Sequence, residues 1–147
     1  MKITFLGTNS WYSTEAGDMI CTLIEMKNCY VILDAGESFR KLDKYITKDL
    51  PVYLLLSHLH LDHVYGLHII SRMKFRNRLT VVIPQEKKPD LLRFANSPYT
   101  ASLKKMVTEI VSVKTGKNKI FPFSLECQKL KHMDGGFGFK ITSEKNP

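Results

Sequence analysis

Pro51 opens an uninterrupted apolar run, Val52-Tyr53-Leu54-Leu55-Leu56, and the stretch Ser57-His58-Leu59-His60-Leu61-Asp62-His63 follows it without a spacer. Alternate residues of a strand point to opposite faces. A strand that is apolar at every position therefore has no side suited to water, and it must be covered on both faces. That requirement asks for an α/β arrangement with a layer on each side of this segment. It also puts the most polar, ligand-rich stretch of the chain immediately at the strand's end.

The flanking patterns agree with such an arrangement. Residues 2–6 form an apolar, β-rich run closed by Gly7, with Thr8-Asn9-Ser10 as loop. Residues 19–26 and 30–34 read as two strands of a hairpin around Lys27-Asn28, and Asp34-Ala35-Gly36 ends the second. Phe39, Leu42, Tyr45 and Ile46 have helical spacing within residues 37–46. Residues 64–75 predict a helix, 79–83 a strand that Pro84 stops, and 101–113 a helix with Leu103, Met106, Val107 and Ile110 on one face. Residues 120–131 and 137–141 predict two strands joined by the turn Asp134-Gly135-Gly136. Strands and helices alternate with no repeat or linker, which describes one domain over residues 1–147.

The 147 residues suffice for one hydrophobic core. No apolar run approaches membrane-span length, and the amino terminus begins directly as a strand rather than as an export signal. Cys21, Cys29 and Cys127 form no C-x-x-C pair and read as reduced, partly buried thiols, so a cytoplasmic location is expected. The net charge of +8 is uneven: residues 1–70 carry a balance of −2 and residues 71–147 a balance of +10. Such a surplus either concentrates a polyanion such as nucleic acid near the surface or only keeps the protein soluble. Arg72, Lys74, Arg76 and Arg78 pose the same choice locally, facing a phosphate backbone or water.

The histidine stretch carries the chemistry. Imidazole nitrogen and carboxylate oxygen are good ligands for zinc and similar divalent ions. Residues two apart in an extended segment point the same way, so His58 and His60 can grip one ion together. Asp62 and His63 come after the chain has turned and can face a second ion. Two adjacent ions suit hydrolysis, since they lower the pKa of a water and stabilise oxygen charge. Three histidines and one aspartate at fixed offsets arise by chance at roughly one start position in a million, which sets aside a surface histidine cluster. Glycine-rich nucleotide loops of the G-x-x-x-x-G-K-[ST] and G-x-G-x-x-G types are absent, and no serine has a nucleophile-elbow context.

His58-x-His60-x-Asp62-His63 resembles the H-x-H-x-D-H motif of the metallo-β-lactamase superfamily. Thr4-Phe5-Leu6-Gly7-Thr8 and Ile32-Leu33-Asp34-Ala35-Gly36-Glu37 resemble two segments of the branch that contains ribonuclease Z, the tRNA 3′-end-processing enzyme. Gly66-Leu67 follows the motif as in that branch. Leu130-Lys131-His132 with Phe137-Gly138-Phe139-Lys140-Ile141 is similar to the family's next segment, a metal-binding histidine before a Gly-aromatic strand. The resemblance implies an αββα sandwich, with a mixed β-sheet flanked by helices, of which this chain supplies the first half and the start of the second. It implies that His58, His60 and His132 hold one metal and that Asp62 and His63 hold the other. Asp62 would orient or deprotonate the attacking water, and Asp34 would help hold the metal loop. Zinc is the implied ion, with Mn2+ or Fe2+ as alternatives. Trp11 and Tyr12 fall in the loop that lies near the metal mouth of that fold, placed either to stack a base or to pack over the core.

The chain also departs from the pattern. A bridging aspartate and a last metal-binding histidine are expected after Ile141, and the polar tail from Thr142 supplies neither. Asp134 is too near His132 to stand in, and His68 reads as a surface or packing residue. The Pro-Gly-Leu-Leu-like run of ribonuclease Z is replaced here by Gly66-Leu67-His68-Ile69. Three functions follow as expectations. The first is a zinc-dependent phosphodiesterase resembling ribonuclease Z that acts on a nucleic acid or nucleotide. The second is a metal-binding half-domain that needs a complementary chain or a second copy of itself. The third is a thioester or lactone hydrolase on the same scaffold.

Overall fold

The computed structural model describes residues 1–133 and 135–142. Asp134, expected in the turn with Gly135 and Gly136, and residues 143–147 of the polar tail lie outside the described residues. Nine strands form two sheets among them. The larger has the order β1 (Lys2–Gly7), β2 (Cys21–Glu25), β3 (Tyr30–Leu33), β4 (Val52–Leu55), β5 (Leu79–Pro84) and β6 (Glu109–Val113). The smaller is β7 (Gly116–Asn118), β8 (Ser124–Lys129) and β9 (Phe137–Thr142). β1, β2 and β3 pair antiparallel, whereas β3 through β6 run parallel, so the large sheet is mixed.

The apolar run is indeed covered on both sides. Val52, Leu54 and Leu56 belong to a core cluster that includes Phe39, Leu42, Leu67, Ile70 and Phe75 from the helical side. Leu55 faces the other way, into a cluster with Val31 and Val82 of the same sheet, Phe123, and Leu125 and Phe137 of the small sheet. Helices, large sheet and small sheet thus make three layers of the expected sandwich. Tyr53 sits edge-on to Phe121 and Phe123, with ring centroids 5.6 and 5.4 Å away, and helps seal the two sheets.

The helical layer is tighter than the sequence spacing suggests. Residues 37–44 form a 3₁₀ helix that buries Ser38, Phe39 and Leu42. The helix expected over 64–75 is a short α1 (Leu61–Val64) followed by a 3₁₀ helix over Tyr65–Arg72. The helix expected over 101–113 is a correction: only Leu103–Met106 (here α3) is helical, and Glu109–Val113 is β6. β-Branched residues dominate from Val107 to Val113, and a parallel edge on β5 was available to them. Pairing of Thr80 with Glu109 through Pro84 with Val113 outweighs the helical spacing. The 120–131 strand is shorter than expected, because Phe121 and Phe123 turn into the core before β8 begins. A helix at Lys88–Phe94 (α2), with Pro89 in its first turn, carried no clear periodicity.

Gly36 locks the two halves of the site. A Cβ there would meet the carbonyl oxygens of Asp62 and Ile20. Gly36→Ala is therefore expected to destabilise the fold by about 1–3 kcal/mol, the usual range for overpacking a tight interior. A lowered urea midpoint with an unchanged slope would show this, and an unaltered midpoint would refute it.

Candidate metal centre

The site forms where β4 ends. Leu56 is the last residue tied to the neighbouring strand, through its N–H to the Val82 carbonyl at 3.0 Å. Ser57 then leaves the sheet, and its N–H donates to Asp34 Oδ1 at 2.8 Å while its hydroxyl donates to Asp34 Oδ2 at 2.8 Å. Asp34 follows β3 directly and is buried, with a left-handed φ of 58° that turns the chain at the strand end. A short side chain that bonds nearby backbone groups tolerates this conformation better than most.

The same carboxylate reaches a second loop. His63 Nδ1 lies 2.8 Å from Asp34 Oδ2, so that nitrogen carries the proton and Nε2 presents its lone pair. Ser57 Oγ, having donated its own proton to Asp34, accepts from His58 Nδ1 at 2.9 Å. His58 Nε2 is then bare as well. One buried aspartate thus sets the tautomers of two histidines. The arrangement matches the hydrogen-bonded carboxylates that orient metal-binding imidazoles elsewhere. Backbone bonds clamp the two loops: Ala35 N–H to the His63 carbonyl at 2.7 Å and Gly66 N–H to the Ala35 carbonyl at 2.6 Å.

His58, His60 and His132 converge. Each offers a ligand atom, and these atoms lie within 4.8 Å of one another. Ring centroids of His58 and His60 are 4.6 Å apart, and those of His58 and His132 are also 4.6 Å apart. His132 arrives on the connection between β8 and β9, which is tied down by Phe137 N–H donating to the Ser57 carbonyl at 3.0 Å. Asp62 and His63 stand beside this group. His63 Nε2 is 3.4 Å from Asp62 Oδ2, and the His58 and His63 rings are 4.0 Å apart. All five residues singled out from the sequence are therefore brought together, while His68 lies apart, exposed and bonded to the Tyr65 carbonyl.

Burial and the neighbouring charge of His63 push the His58 pKa down to about 4. It is neutral at physiological pH, as a metal ligand must be. Burial opposes charge on His63, but the Asp34 hydrogen bond and the Asp34 and Asp62 carboxylates outweigh it and raise its pKa. Negative charge thus gathers around His63, where a cation is favoured. Three imidazoles, one buried and held neutral, form a donor set that fits a divalent metal.

Two contacts were not evident in the sequence. Ser57 precedes the motif yet relays Asp34 to His58. Trp11, far away in the chain, donates its backbone N–H to Asp62 Oδ2 at 3.1 Å. Half of the basic run after the motif proves committed to structure, while the Arg72 and Lys74 side chains are exposed. Arg78 binds the carbonyls of Lys48 and Leu50 and pairs with Asp49, and Arg76 binds the Ser71 carbonyl. Cys21, Cys29 and Cys127 are buried and unbridged, and burial raises their thiol pKa values, that of Cys29 to about 11.

Layered sheets, helices on one face and a histidine group at the strand ends define a protein of the metallo-β-lactamase fold. Human tRNase Z, short form, superposes with a TM-score of 0.70 at 16% identity, covering 97% of this chain and 65% of that one. The metallo-β-lactamase fold protein YhfI from Bacillus subtilis gives 0.71 at 17% identity, over 95% of this chain and 57% of that one. The chain belongs to the family described as Anti-Pycsar protein Apyc1, whose profile matches residues 1–145. Among curated proteins it is similar to Ribonuclease Z of Latilactobacillus sakei subsp. sakei (strain 23K), 28% identical over 163 residues, covering 100% of this chain and 50% of that protein. The chain spans about half the length of that relative.

Replacing Asp34 by Asn tests the shared carboxylate. An amide has one acceptor oxygen, so with that oxygen toward the Ser57 hydroxyl and His63 its NH2 group faces the Ser57 N–H, donor against donor. Metal affinity is expected to fall by about ten- to a hundredfold with the ligands intact. Competition against a chromophoric zinc chelator reads this directly. Unchanged affinity in a folded variant would mean that Asp34 does not organise the ligands.

Proposed function

We propose that this chain carries the metal-binding part of a phosphodiesterase that acts on a nucleic acid or nucleotide by activated water. The observation that supports it most is the closure of His58, His60 and His132 into one ligand group beside the Asp62–His63 pair. Zinc is the ion that three imidazoles favour, and bound ions would supply water of lowered pKa and stabilisation of oxygen charge. His58, His60 and His132 would hold one ion, and Asp62 and His63 a second. The Asp62 carboxylate would orient the attacking water and accept its proton. Asp34 and Ser57 hold the imidazoles in the required tautomers throughout. Relatives named Ribonuclease Z and tRNase Z support a phosphate-diester substrate, and so does the basic balance of residues 71–147. No helix among the described residues is long and apolar enough to cross a membrane.

A second reading has its own observation. Ile3 and Phe5 alternate along edge strand β1, Met1 precedes it, and all three are exposed, although Ile3 pairs with Ile24, whose face is covered by the small sheet. An apolar edge of this kind suits a partner chain, either a second copy or a complementary one.

Metal content and turnover separate these readings. The purified chain is expected to bind close to two zinc ions, to lose them in His58→Ala and to cleave bis(p-nitrophenyl) phosphate. One ion without turnover would favour the half-domain that needs a partner. Cleavage of a thioester with the phosphate diester untouched would overturn the phosphodiesterase reading.

A further inference from the structure

The loop that follows β1 places two aromatic side chains in water next to the candidate centre. Trp11 is 83% exposed and Tyr12 is 68% exposed. Large aromatic rings normally dominate cores, and side by side at a site mouth they leave a sizeable apolar surface unused. Together with Thr8, Asn9, Ser10 and Thr14 they line an open groove of about 570 Å³. The groove adjoins the site through Trp11 itself, whose N–H reaches Asp62 Oδ2. An indole on that residue is within one side-chain length of the carboxylate proposed to handle the water.

The loop is held rather than loose. Trp11 adopts a left-handed φ of 67°, a conformation uncommon for a bulky side chain. Such outliers persist only where the surroundings over-determine them, and they cluster at ligand-binding positions. The surroundings here are explicit. Asn9 Nδ2 donates to Thr14 Oγ1 at 2.9 Å and to the Gly17 carbonyl at 2.7 Å. Asn9 N–H donates to the Asp18 carbonyl, and Ile20 N–H to the Asn9 carbonyl, both at 3.0 Å. Tyr12 N–H closes the turn on the Ser10 carbonyl at 2.8 Å. A platform fixed before the ligand arrives loses little freedom on binding.

We propose that Trp11, with Tyr12 beside it, is the base-stacking subsite of this protein, taking the nucleobase of a nucleotide whose phosphate lies at the histidine group. The inference rests on the phosphodiesterase reading for what lies at the histidines, and it adds the part of the substrate recognised by the loop. Stacking tolerates any base, since every base offers a π face, so the subsite selects nucleotides over other phosphate esters without selecting strongly among them. The left-handed turn couples the two events: the residue that carries the indole also holds Asp62 through its main chain.

Trp11 is the chain's one tryptophan, so intrinsic tryptophan emission reports on this position alone. Titrating the purified protein with adenosine monophosphate, uridine monophosphate and ribose phosphate is the test. Both nucleotides are expected to quench the emission saturably, and ribose phosphate is not. Trp11→Ala is expected to weaken binding of both nucleotides by roughly ten- to a hundredfold, measured by calorimetry, with Trp11→Phe restoring most of it. Quenching that is linear in concentration, or alike for all three ligands, would overturn the subsite. Failure of the parent reading looks different: saturable quenching by nucleotides with no cleavage of phosphate diesters would leave the base subsite standing and remove the enzyme.

Discussion

The site depends on one buried carboxylate. Asp34 takes a backbone N–H and a hydroxyl from Ser57 and a ring N–H from His63, each at 2.8 Å. A carboxylate accepts without donating, so every group around it must present a proton. That requirement fixes the orientation of the Ser57 hydroxyl, which in turn fixes which nitrogen of His58 is bare. Two histidines in different stretches of the motif are thereby oriented from one point. The cost of burying Asp34 is offset by three hydrogen bonds, and removing any of them leaves charge poorly solvated in the interior.

The layers explain why this carboxylate can be where it is. β3 and β4 are parallel neighbours, with Leu33 opposite Leu55, so Asp34 leaves the sheet level with Leu56 and Ser57 follows one residue on. Gly36 and Gly66 then let the turn after β3, the helix that carries Asp62 and the Phe39 side chain come closer than any side chain on either glycine would permit. The small sheet serves a similar end from the opposite side. Its β8–β9 connection delivers His132, and Phe137 both bonds the Ser57 carbonyl and packs into the core beneath. Packing on each face of β4 thus places a different ligand.

Much of this was legible from residue patterns. The run from Val52 to Leu56 declared a doubly covered strand, and the fixed offsets from His58 to His63 declared a metal group, because both signals are local. β6 was misjudged because Leu103, Met106, Val107 and Ile110 have helical spacing, while the deciding partner, β5, lies some thirty residues earlier in the chain. Ser57 and the Trp11 main chain were missed for a related reason. Their roles come from a hydroxyl and an N–H, groups that nearly every segment possesses, and only the fold shows where they point.

The fate of the basic run bears on recognition. Arg76 and Arg78 looked suited to phosphate by composition, yet their guanidinium groups cap carbonyls at the ends of the 3₁₀ segment and the 48–50 loop. Arg78, whose bond to the Leu50 carbonyl is part-buried, cannot turn to a diester without giving up that partner, whereas the Arg76 bond is exposed and costs less to break. Their charge still contributes to the field, which acts at a distance and is screened by salt. Close recognition in the proposed function therefore falls to groups with no such structural duty: the exposed Arg72 and Lys74, the imidazole nitrogens left bare by Asp34 and Ser57, and the aromatic faces that the loop after β1 holds in solvent.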